Sequence, residues 1–155
     1  MSRLTIKQEV LQKLYEAWFH QRGHESFEAM CEKKGWDDIT FCDIITMMAR
    51  EGLIRPRTLD SYEITPYGVR DAEESKVVDE ELLQENKSAR RTIRNILLRE
   101  SNPLAAIPVE RLADKAGLQS TLLGRHLQVL EGWGYVHGNG AIKLTPQGAR
   151  SMDWD

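Results

Sequence analysis

Apolar residues return along this chain with a helical period in some stretches and a strand period in others, and the sequence of stretches occurs twice. In "IKQEVLQKLYEAWFHQRG", Ile6, Val10, Leu14 and Trp18 recur every four positions, which makes one face of a helix apolar. In "FCDIITMMAREGLI", Phe41, Ile44, Ile45 and Met48 hold the i, i+3, i+4, i+7 spacing. Leu123, His126, Leu127 and Leu130 hold it again in "STLLGRHLQVLEGWG". There Gly132 and Gly134 supply the stop. Shorter helices are predicted over "VERLADKAG", ended by Gly117, and over "ARRTIRNILLRE". "YVHGNGAIKL" sets two short apolar segments around a Gly-Asn-Gly turn, the pattern of a β-hairpin.

The two halves align. "ITPYGVR", residues 64–70, and "LTPQGAR", residues 144–150, share Thr, Pro, Gly and Arg in register. Thr at an N-cap followed by Pro at the first helical position predicts a helix start in each. Gly35 and Gly52 match Gly117 and Gly134 at a fixed offset, and the second hairpin loop is two residues shorter than the first. Each half therefore reads as helix, helix, helix, hairpin, helix. The fold expected is mainly α with small β-hairpins, in two tandem domains over 1–74 and 87–155. Residues 71–90, "DAEESKVVDEELLQENKSAR", contain no Pro or Gly. With Val78, Leu82, Ala89 and Ile93 as a stripe, they predict a rigid helical linker centred on 75–86.

That unit resembles the winged helix-turn-helix. The stretch "GLQSTLLGRHLQVLEGWGYV", Gly117–Val136, is similar to the recognition-helix region of ArsR- and MarR-type bacterial regulators, in which a wing and a Thr-Pro-x-Gly helix start follow. The resemblance spans about 65 residues of the second half well and the first half more loosely. It implies a DNA-binding protein, a transcriptional regulator, whose third helix enters the major groove of duplex DNA. The paired-cysteine metal signature of the ArsR group is absent, and no cofactor is expected.

Charge sharpens the assignment. Residues 1–86 hold 11 Lys and Arg against 18 Asp and Glu, while residues 87–150 hold 10 against 4. A nucleic-acid contact needs local positive charge, which places it in the second half. With Leu123, Leu127 and Leu130 buried, Thr121, Arg125 and Gln128 point outward as candidate base readers. Ser120 is expected to cap the helix and meet a phosphate. Lys143 on the wing and Arg90, Arg91 and Arg94 are candidate phosphate contacts. Leu122 and Val129 are expected to flank that face as apolar residues. In the first half the matching positions are Ile39, Asp43 and Thr46, preceded by Asp37 and Asp38. A carboxylate facing phosphates is repelled, so domain 1 is expected to contact protein or to self-associate, with Arg55 and Arg57 left as backbone contacts. A tandem protein-binding adaptor without DNA is the competing reading.

Composition excludes other classes. At 41% hydrophobic and 29% charged the chain is globular. It has no membrane-length apolar run, no signal peptide is expected ahead of the first polar helix, and its two cysteines, Cys31 and Cys42, make no disulfide framework, so a cytoplasmic setting is expected. His20, His24 and Glu28 have metal-ligand spacing, but Gly23 interrupts the helix that would align them. No nucleophile triad, phosphate loop or dinucleotide fingerprint occurs, so no enzymatic activity is expected. His126 falls on the apolar face and is expected in the core.

Overall fold

The computed structural model describes residues 3–20, 26–58, 61–100, 106–151 and 154. The fold is mainly helical with two small antiparallel sheets, and the chain divides into two compact units, Met1–Val78 and Asp79–Asp155.

In the first unit α1 (Arg3–Phe19) buries Ile6, Val10, Leu14 and Trp18, the four residues of its apolar stripe. α2 (Phe27–Lys34) starts at Ser26, whose hydroxyl accepts from Ala29 N, and stops at Gly35 in the left-handed conformation. α3 (Asp38–Arg50) turns Phe41, Ile44, Ile45 and Met48 inward. β1 (Ile54–Pro56) and β2 (Tyr62–Ile64) form the hairpin, with Ile54 opposite Ile64. α4 (Pro66–Glu74) follows, tied to α1 by the Tyr15 hydroxyl, which donates to Glu73 at 2.6 Å.

The second unit repeats this order with one strand, β3, added after its first helix: α5 (Glu80–Glu100), β3 (Ile107–Pro108), α6 (Val109–Ala116), α7 (Ser120–Gly132), β4 (Val136–His137), β5 (Ala141–Leu144) and α8 (Pro146–Arg150). Its sheet has the order β3-β5-β4. One core gathers Ile93, Leu97, Leu112, Leu123, Leu127, Leu130, Tyr135, Ile142 and Trp154. Full burial of each such aliphatic side chain contributes about 1.5–3 kcal/mol.

The Thr-Pro-x-Gly repeat is a clamp built twice. The Thr145 hydroxyl donates to Gly134 O at 2.6 Å and accepts from Gly148 N at 2.9 Å, while Thr145 N donates to Tyr135 O at 3.1 Å. Thr65 does the same with Gly52 O, Gly68 N and Leu53 O. The last helix is thereby fastened to the end of the third. Glycine is required at the fourth position, because a Cβ on Gly148 would collide with Tyr135 O and one on Gly68 with Leu53 O. The two remaining shared glycine pairs end helices at positive φ, with Gly52 at 77° and Gly134 at 84° as the example.

The continuous linker helix is not formed. α4 ends in a Schellman turn: Lys76 takes φ 57°, Lys76 N bonds Glu73 O, and Val77 N bonds Ala72 O. α5 then begins afresh behind Asp79, whose carboxylate accepts from Leu82 N at 3.1 Å. The cap signature was present in "VDEELL", an Asp N-cap with Glu80 and Glu81 in the first turn.

Candidate nucleic-acid interface

Four of the predicted contact residues lie on α7, and the helix brings three of them together. A rotation of 100° per residue keeps Thr121, Arg125 and Gln128 within an arc of about 60°. Thr121 and Gln128 are exposed and Arg125 is half-buried. The opposite arc, Leu123, His126, Leu127 and Leu130, is buried as the spacing required. Ser120 is the exposed first residue of α7 rather than its cap. The cap is Gln119, which makes no side-chain capping bond. The helix therefore starts with backbone N–H groups that no capping side chain covers, in a field that favours an anion.

Lys143 is half-buried on β5 and stands in register with His137 on β4, so the two side chains share one face of the hairpin. His137 as a neighbour of Lys143 follows from strand register, which the sequence pattern alone did not assign.

The arginines of α5 divide. Arg91 is exposed. Arg90 is 0% exposed and is no phosphate contact: its Nε donates to Trp154 O at 2.6 Å, and its guanidinium lies 5.2 Å from the Trp133 ring centroid. The physical reason is the tail. Trp154 stacks on Tyr135 with centroids 5.4 Å apart, and its indole N–H donates to Gly148 O, so its carbonyl comes to rest over α5. Arg90 and the aromatic rings satisfy one another there. Arg94 is half-buried and gives one guanidinium nitrogen to Ser151 O at 3.3 Å, so it too serves the tail segment. Val129 does not flank the outward face of α7. It is 2% exposed, because its position 60° from His126 places it at the edge of the buried arc. Leu122 is half-buried.

His126 is buried beside Arg90, and burial, then the Arg90 charge, lowers its pKa to about 4. Burial first, and the Arg90 charge second, keep the ring neutral.

The unit boundary alters the charge picture. Residues 79–155 hold ten Lys and Arg and ten Asp and Glu, so the second unit has no net charge. Four of the acids, Asp79, Glu80, Glu81 and Glu85, stand ahead of the cationic stretch of α5. Its positive charge is local.

In the first unit the corresponding face of α3 is acidic and apolar. Asp43 and Thr46 are exposed, Ile39 is 74% exposed and Met47 37%. Asp37 occupies the helix start with its own carboxylate, accepting from Thr40 N at 3.0 Å. On the hairpin Glu63 binds Arg55 at 2.6 Å and approaches Arg57 at 4.0 Å, which engages both hairpin cations internally.

Of the remaining candidates, His20 and Glu28 are exposed, and His24 lies outside the described residues. Among the described residues no three His, Cys, Asp or Glu side chains gather as a metal site, and no helix is long and apolar enough to cross a membrane. Cys31 is buried and Cys42 exposed. Burial, then Asp38 and Cys42, pushes the Cys31 thiol up. Neither a protein-family model nor a curated protein matches the chain.

Proposed function

We propose that this protein is a tandem winged-helix DNA-binding regulator that contacts duplex DNA through its second unit. The observation that carries the reading is α7, which presents Thr121, Arg125 and Gln128 on one face, with a start that no side chain caps. In this reading α7 lies in the major groove. Arg125 pairs with guanine, Gln128 with adenine, and Thr121 reaches a base edge or a thymine methyl. Ser120 and the first N–H groups of α7 meet a phosphate, and Lys143 and His137 bring the hairpin to the backbone as a wing.

The test is fluorescence anisotropy of the full chain on a labelled duplex at about 50 and 200 mM salt, a range over which several phosphate contacts cost orders of magnitude in affinity. Arg125→Ala is expected to lose about 1–3 kcal/mol of specific binding. No binding at the lower salt, or binding that Arg125→Ala leaves untouched, refutes the reading.

A second reading is supported by α3. Its exposed Ile39 and Met47, set among Asp38 and Asp43, suit a protein partner better than a polyanion. Co-purification of a stoichiometric protein with no nucleic acid would favour an adaptor instead.

A further inference from the structure

The helix α5 carries its charge in two blocks. Glu80, Glu81 and Glu85 form the first, and Lys87, Arg90, Arg91, Arg94 and Arg99 the second, with Glu100 as the last residue. At 100° per residue, Glu81, Gln84, Ser88, Arg91, Asn95 and Arg99 fall opposite the buried Leu82, Asn86, Ile93 and Leu97. All six are exposed, and Leu98 at the edge of the same face is 44% exposed. Small side chains, Ser88, Ala89 and Thr92, keep the middle of the helix low. Beside them an open groove of about 560 Å³ runs along α5 to Ala116 and Leu118 at the end of α6.

We propose that this face docks against α5 of a second copy of the chain, antiparallel, about a two-fold axis near the level of Ser88 to Arg91. The argument is charge complementarity. An antiparallel pair lays the Glu81–Glu85 turn of each copy against the Arg94–Arg99 turn of the other, and symmetry makes the contact twice. A parallel pair would set like charge on like. The small residues at the crossing let the helices approach, the groove gives the facing side chains room, and Leu98 of each copy is covered. One helix pair buries less than the roughly 1,200 Å² of a stable complex, so the dimer is weak and its affinity falls with salt. This inference is independent of DNA binding by α7.

Sedimentation equilibrium of the full chain tests it, at about 50 and 500 mM salt. Self-association at the lower salt, weakened at the higher, is expected. Two exposed-site variants, Glu81→Lys/Glu85→Lys and Arg91→Glu/Arg99→Glu, should each be monomeric, because like charges then meet across the axis. Mixed in equal amounts they should associate, because each then faces its opposite. A full chain that stays monomeric at the lower salt overturns the proposal, including the case in which α5 binds only a lysine-rich peptide. So does association that both variants retain, which would place the contact elsewhere, or a mixture no more associated than its parts.

Discussion

Replacing His126 by leucine should flatten part of the acid dependence of this fold. The imidazole sits on the buried face of α7, 1% exposed, and burial together with Arg90 brings its pKa from 6.5 down to about 4. In the unfolded chain the ring takes its proton near 6.5. Between these values the unfolded chain binds a proton that the folded chain refuses, so stability rises with pH across the window. The contribution is complete above about pH 6.5 and is lost as the pH falls toward about 4. A gap of about 2.5 units at 1.36 kcal/mol each gives a swing of about 3 kcal/mol. Leucine keeps an apolar side chain in the row with Leu123, Leu127 and Leu130 and removes the titration. The direct assay is the NMR titration of the His126 ring protons in the full chain. The second is denaturant unfolding of the full chain and His126→Leu between about pH 7 and pH 4, where the difference between the two isolates the group from the carboxylates. A ring titrating near its ordinary value, or parallel pH curves for the two proteins, would refute the reasoning.

The repeat predicts a matched pair of lesions. Gly148→Ala and Gly68→Ala each drive a Cβ into a backbone carbonyl and should each lower unfolding stability by about 2–4 kcal/mol in denaturant titrations. Gly124→Ala should do the opposite, because it is interior to α7 and a Cβ there meets nothing within 4 Å. A gain of about 0.5–1 kcal/mol is expected, and a loss would mean that the backbone of α7 is misjudged. Trp154→Ala removes the stack on Tyr135, the bond to Gly148 O and the cover over Arg90, and should cost about 3–5 kcal/mol in the same titration.

Much of the core was legible, because helical spacing depends only on the alternation of apolar and polar residues. Ile6, Val10, Leu14 and Trp18, and the matching rows of α3 and α7, are buried where that spacing put them. The Thr-Pro-x-Gly starts were legible because capping is local chemistry. The break between α4 and α5 was harder to see, since Lys76 holds a left-handed conformation that the sequence usually marks with glycine. Arg90 and Arg94 were misassigned for a different reason. Their partners, Trp154 and Ser151, lie 64 and 57 positions away, and no local pattern encodes such a contact. Along α7, Thr121, Arg125 and Gln128 could be grouped from helix geometry alone, whereas His137 joins Lys143 only through the pairing of β4 with β5.

The grip of Arg90 on Trp154 also bears on how the chain is made. Synthesis runs from the N-terminus, and domains fold as their residues emerge. The first unit has its whole span, through Val78, before the second begins. The second has no such head start. Its α5 emerges early, yet the ring that stacks on Tyr135 and the carbonyl that receives the Arg90 N–H arrive 64 residues later. At about 5–20 residues per second, that is a delay of several seconds. The Arg90–Trp154 contact cannot form before residue 154 has been made, so it is among the last contacts of the second unit to close.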